Sequence, residues 1–137
     1  MTKTTWATAA GALALAVMFA LPVHAERQSH PIALFRGLDK ITGEVHDFHV
    51  FMDETVQFGA LQLTARVCYD RPPTEQEQTS VFVEVDELTL DRRIQRIFAG
   101  WMFAESPGLN AIDHPVYDIW LTACSDSVPG TPATGQQ

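Results

Sequence analysis

The chain has 137 residues, with 17 Asp and Glu against nine Lys and Arg, for a formal net charge of −8. Its first 25 residues read as an export signal that contains one cation, Lys3, and no acid, so the 112 residues that remain carry −9. A body of that size buries one core, which excludes a two-domain cleft enzyme and leaves little room for a large cofactor, while the charge makes nucleic acid a poor partner.

In residues 1–25, Lys3 supplies a short positive start, Ala9 to Leu21 is an unbroken apolar or small run, and Pro22 ends it. Val23-His24-Ala25 suits a signal peptidase, so cleavage is expected before Glu26. The run is shorter than the roughly 20 residues of a spanning helix, and Cys68, the first cysteine, is far from the cleavage point. The expected product is periplasmic and soluble, with no stable membrane insertion. It consists of one β-rich domain over 26–124 and a disordered tail over 125–137.

Within the domain, two-residue alternation dominates and no long helical stripe occurs. Ile32 to Leu38 and Val45 to Phe51 are the first strands, parted by Gly43. Val56 to Tyr69 holds two runs broken at Gly59-Ala60. In the second run Leu61, Leu63, Ala65, Val67 and Tyr69 share one face, with Gln62, Thr64, Arg66 and Cys68 on the other. Arg71 to Ser80, with two prolines and no large apolar residue, reads as a mobile acidic loop. Val81, Val83 and Val85 resume the alternation, and Leu88 to Arg96 is ambiguous between a loop and a strand end.

Ile97 to Phe103 is apolar on both faces, as in a central strand or one whose outer face meets a partner. Ser106-Pro107 predicts a helix cap and a short helical turn running to Asp113. The last strand alternates Tyr117, Ile119, Leu121 and Ala123 with Asp118, Trp120, Thr122 and Cys124. About six short strands and one helical turn predict a single small β-sandwich or barrel.

An exported chain with two cysteines most simply pairs Cys68 with Cys124, a loop closure worth roughly 4 kcal/mol in the chain-entropy account. Two free thiols are the alternative, and the close spacing of a redox-active pair is absent. Both cysteines fall opposite the aliphatic stripes of their strands, so a bridge at the periphery of the core is expected.

Residue types for chemistry are present without convincing spacing. His46, His49 and Asp53 have metal-binding atoms, but strand residues three apart point to opposite faces. Ser106, His114 and Asp113 or Asp118 have the composition of a nucleophile triad, yet no Gly-x-Ser-x-Gly elbow exists and Ser106 reads as a cap. No catalytic residue, metal ligand or cofactor is therefore assigned. Arg36, Lys40, Arg66 and Arg71 form a thin basic feature, read as surface salt bridges or an anion site. The aromatic group Phe98, Trp101, Phe103, Tyr117 and Trp120 is the strongest local signal; Trp101, Phe103, Tyr117 and Trp120 are the candidate partner surface, with core packing as the bland account.

The runs Arg36-Gly37-Leu38-Asp39-Lys40, Val67 to Pro73 (VCYDRPP), Phe98 to Ala104 (FAGWMFA) and His114 to Trp120 (HPVYDIW) together resemble an exported alphaproteobacterial family known only as domain of unknown function 2155. The likeness runs from about Ile32 to Cys124. It implies a periplasmic location and both cysteines within the family pattern, with no established activity and no catalytic residues to transfer. The expectation for function is a non-catalytic module that binds an envelope protein, with a small-ligand or metal-binding module as the alternative and a hydrolase behind both.

Overall fold

A computed structural model describes residues 26–110, 112 and 114–130. The export signal over 1–25 lies outside the described residues, as do Ala111, Asp113 and the end of the tail. Eight strands form two antiparallel sheets: β1 (Gln28–His30), β2 (Ile32–Asp39), β3 (Val45–Phe51), β4 (Thr55–Phe58), β5 (Leu61–Asp70), β6 (Ser80–Leu88), β7 (Ile94–Phe103) and β8 (Tyr117–Ser125). The larger sheet has the order β1-β5-β6-β7, with β4 sharing the β1 side of β5, and the smaller one is β3-β2-β8. The barrel alternative therefore gives way to two packed sheets.

The core lies between the sheets. Leu61, Leu63, Ala65, Val81, Val83 and Val85 enter from the larger sheet, and Ala33, Phe35, Val50, Ile119 and Leu121 from the smaller one. This is the burial expected from alternation in a sheet that faces water on one side. An aromatic series crosses the interior, with Phe35 to Phe48 at 5.7 Å, Phe48 to Phe58 at 5.2 Å and Phe58 to Tyr117 at 5.7 Å between ring centroids.

Three bulges interrupt the ladders, each leaving one residue over: Arg66 in β5, Ile97 in β7 and Thr122 in β8. An extra residue reverses which face the following side chains occupy. Past Arg66, Cys68 faces Val81, and past Thr122, Cys124 faces Ala33, both partners being core residues. The cysteines thus turn inward instead of lying opposite the aliphatic stripe. The Cys68–Cys124 bridge joins the two sheets across a separation of 56 residues, with Cα atoms 5.8 Å apart and Cys68 only 1% exposed. The expected peripheral placement is corrected accordingly.

Two further expectations change. β7 pairs only with β6, so the strand that is apolar on both faces is an edge strand rather than a central one. After Phe103 the described chain makes turns, not a helix: the Ser106 N–H donates to Phe103 O at 3.3 Å and the Leu109 N–H to Ser106 O at 2.9 Å. Asn110, at φ 57°, takes the left-handed conformation that ends such a turn instead of extending it. Of the ambiguous region Leu88 to Arg96, Leu88 ends β6 and Ile94 to Arg96 open β7, and the residues between form the hairpin loop, closed by Thr89 N–H to Arg93 O at 2.9 Å with Arg92 at φ 64°. Ser125 ends β8, and Asp126 is held by His30, so the first residues of the segment read as a tail are part of the fold.

Candidate functional site

Because Val81, Val83 and Val85 point into the core, Ser80, Phe82, Glu84 and Asp86 point out from the larger sheet. Paired residues of antiparallel strands share a face. The outer face is thereby built row by row: Tyr69, Ser80 and Phe103; Val67, Phe82 and Trp101; Thr64, Glu84 and Ala99; Gln62, Asp86 and Arg96.

The face divides into two halves. In one, Arg66 reaches Glu84 at 2.7 Å and Asp53 at 3.0 Å, while Arg96 reaches Glu84 at 3.2 Å and Asp86 at 2.6 Å. Hydrogen bonds to these carboxylates hold both guanidinium groups above their ordinary pKa, Glu84 acting foremost on Arg66 and Asp86 on Arg96. The other half is aromatic. Tyr69 and Trp101 lie nearly parallel with centroids 6.2 Å apart, and Phe82 meets Trp101 edge-on at 5.5 Å. Tyr69, Phe82, Trp101 and Phe103 are all half-buried, not covered.

Over this aromatic half lie two adjoining hollows. One of about 370 Å³ is lined by Arg27, Tyr69, Asp70, Arg71, Gln78, Ser80, Trp101 and Phe103. The second, of about 380 Å³, shares Arg71, Gln78 and Phe103 and continues to Gln76, Glu77, Glu105, Ser106 and Leu109. The 71–79 segment, expected as a loop, forms a wall; its end is tied down by the Thr79 N–H donating to Glu105 Oε1 at 2.8 Å.

The cations beside the groove, Arg27 and Arg71, differ from most of the others, although Arg92 in the β6–β7 loop is likewise without a salt bridge among the described residues. Arg36, Lys40, Arg66, Arg93 and Arg96 each have a carboxylate oxygen within 3.2 Å. Arg71 has only Glu75, at 3.9 Å, and Arg27 lies 5.9 Å from the centre of the Tyr69 ring, with no carboxylate in salt-bridge range among the described residues. Asp70, beside them, faces His30 Nε2 at 2.9 Å.

The candidate residues from the sequence occupy three places. Trp101 and Phe103 are together in the groove. Tyr117, half-buried, packs against the core at the far end of the sandwich, stacked on His114 at 5.2 Å. Trp120 lies on the outer face of the smaller sheet, opposite Arg36. Tyr69 and Arg27 line the groove, and Phe82 borders it against Trp101, without having been singled out. Phe82 carried a readable signal, since it is the one aromatic among the outward residues of β6; Tyr69 was assigned to the inner face because the bulge at Arg66 was not foreseen.

The other constellations do not assemble. His46 and His49 occupy opposite faces of β3, His46 beside Glu44 at 3.4 Å and His49 edge-on to Phe51 at 5.6 Å, and Asp53 is held by Arg66. Among the described residues no three His, Cys, Asp or Glu side chains come together as a metal site. His114 is buried at 6% exposure and fully engaged. Its Nδ1 accepts the N–H groups of Val116 and Tyr117 at 3.1 and 3.2 Å, which makes Nε2 the donor to Glu87 at 3.0 Å. Asp118 pairs with Lys40 at 3.0 Å, so neither group is turned toward Ser106.

Residues 33–124 match the family model described as "Uncharacterized protein conserved in bacteria (DUF2155)". The chain is also similar to an uncharacterised protein of Rickettsia prowazekii (strain Madrid E), 24% identical over 88 residues, which is 64% of this chain and 57% of that protein. The chain thus spans somewhat over half the length of that relative. No solved structure matches it.

Proposed function

For this chain, which belongs to the DUF2155 family, we propose a non-catalytic binding module, exported to the periplasm, that holds an envelope protein in the groove on the outer face of its larger sheet. The observation that carries this reading is the half-buried set of Tyr69, Phe82, Trp101 and Phe103 on a face that no other element among the described residues covers. Aromatic and arginine side chains are the residues that anchor protein interfaces, and both are concentrated here. The edge position of β7 adds to it, because Trp101 and Phe103 lie beside a backbone that has no neighbouring strand. The bridge between Cys68 and Cys124 suits an oxidising compartment.

The test is recovery of the tagged full-length protein from its native cells after cross-linking, with wild type, Trp101→Ala and Trp120→Ala compared by mass spectrometry. A stoichiometric partner that survives Trp120→Ala and is lost with Trp101→Ala is expected. The same partner retained by both variants would remove the groove from the function.

A further inference from the structure

Resting on that reading, we propose that the groove recognises an acidic, extended polypeptide segment, with its carboxylates on Arg27 and Arg71 and an apolar side chain against Trp101 and Phe103. The argument is one of charge. In a chain where acids outnumber Lys and Arg by 17 to nine, cations should be neutralised readily, and on the other half of the same face Arg66 and Arg96 are. The two arginines beside the aromatic patch are paired less closely, Arg71 reaching only Glu75 at 3.9 Å and Arg27 no carboxylate in range among the described residues, although Asp70 and Glu105 are close in the fold. Asp70 is committed to His30 and Glu105 to the Thr79 backbone. The first hollow therefore presents two loosely paired arginines, while the one carboxylate that lines it, Asp70, faces His30, and an acidic partner would supply what Glu84 and Asp86 supply to Arg66 and Arg96.

Shape favours a peptide. From Tyr69 on β5 to Phe103 on β7 the floor crosses two strand spacings, about 10 Å, which accommodates roughly three residues of extended chain. Tyr69 is engaged by both Arg27 and Trp101, so a ligand packs on Trp101 and Phe103 rather than on the Tyr69 ring. The amides of Gln76 and Gln78 line the second hollow, where they can bond a peptide backbone. Glu77 and Glu105 also line that hollow and repel an anion there, whereas the acid that lines the first, Asp70, faces His30, so the acidic positions belong over the first hollow.

A randomised decapeptide display library selected on the full chain without its first 25 residues tests this directly. Enriched sequences should place Asp or Glu beside an apolar residue. An enriched peptide should bind the double variant Arg27→Gln/Arg71→Gln about tenfold more weakly, with a reduced dependence on salt, and should not bind Trp101→Ala. Equal melting temperatures for the three proteins exclude misfolding as the cause. Enriched peptides without acidic residues, or with unchanged affinity for the arginine variant, overturn the inference and leave the groove as a binding site. No enriched peptide, together with a shift of the Trp101 resonances by an oligogalacturonate, overturns it in favour of a sugar. Loss of neither partner nor peptide with Trp101→Ala removes the underlying reading as well.

Discussion

His30 shows how one residue can set a pH dependence. Its side chain is 13% exposed; Nδ1 hydrogen-bonds Asp126 Oδ1 at 2.8 Å, and Nε2 faces Asp70 Oδ1 at 2.9 Å in a contact short enough for charge pairing but not aligned as a hydrogen bond. Burial pushes the imidazole pKa down, and the two carboxylates, Asp70 ahead of Asp126, outweigh it, so the net direction is upward from 6.5. A pKa raised on folding means that the folded state holds the proton more tightly than the unfolded chain. This contribution is complete below the unfolded value and is lost as pH rises through the folded one. Urea unfolding across that window should therefore show stability falling as pH increases, and His30→Gln should flatten the slope; an unchanged slope would dissociate His30 from it. A second residue-scale case is Gly59, at φ 57°, where a Cβ would overlap the Tyr117 ring. Gly59→Ala is expected to cost about 1 to 3 kcal/mol, read from the midpoint of denaturation, because both backbone and packing resist it.

At the scale of elements, the bulges decide what each strand offers to which side. Leu61, Leu63 and Ala65 follow the alternation read from the sequence, and the pattern then inverts at Arg66, so that Cys68 goes inward and Tyr69 outward. Deleting Arg66 removes the extra residue while leaving Val67 opposite Phe82 and Cys68 opposite Val81, so the bridge should still form and a thiol titration should count no free cysteine. Two free thiols would show that the register of β5 slips once the bulge is gone. In the intact protein, reduction removes a cross-link worth roughly 4 kcal/mol by loop entropy, and a fall in melting temperature of well over 5 °C is expected for a domain of this size. The same element-scale logic explains the loss of the expected helical turn. Ser106-Pro107 is a sound start, but Gly108 and the left-handed Asn110 leave the turn nothing to propagate through.

The whole molecule places its two tryptophan-bearing surfaces on opposite sides of the sandwich and packs Tyr117 against the core, so the aromatic group that is contiguous in composition is not contiguous in space. Trp101→Ala should therefore change binding far more than folding: it removes half-buried contacts on an outer face, and the melting temperature should fall by only a few degrees while partner recovery disappears. A collapse of the fold would mean that the aromatic half of the face is structural. Most of the strand content (though not β1), the Gly59 turn, the 71–80 loop except for Ser80, which opens β6, and the pairing of the two cysteines were legible in the chain, since alternation, turn residues and cysteine number are local or compositional properties. The division of the outer face was not, nor was the edge position of β7, the inward turn of both cysteines, or the lack of close carboxylates at Arg27 and Arg71. Each of these depends on which distant residue lies opposite, and a single extra residue in a ladder reverses that assignment without leaving a mark on local hydrophobicity. The sequence alone thus determined a small, acidic, bridged β-domain, because burial and covalent pairing follow from residue types. Only the tertiary structure decided which aromatic residues share a surface and which cations flank it, because those are relations between strands far apart in the chain.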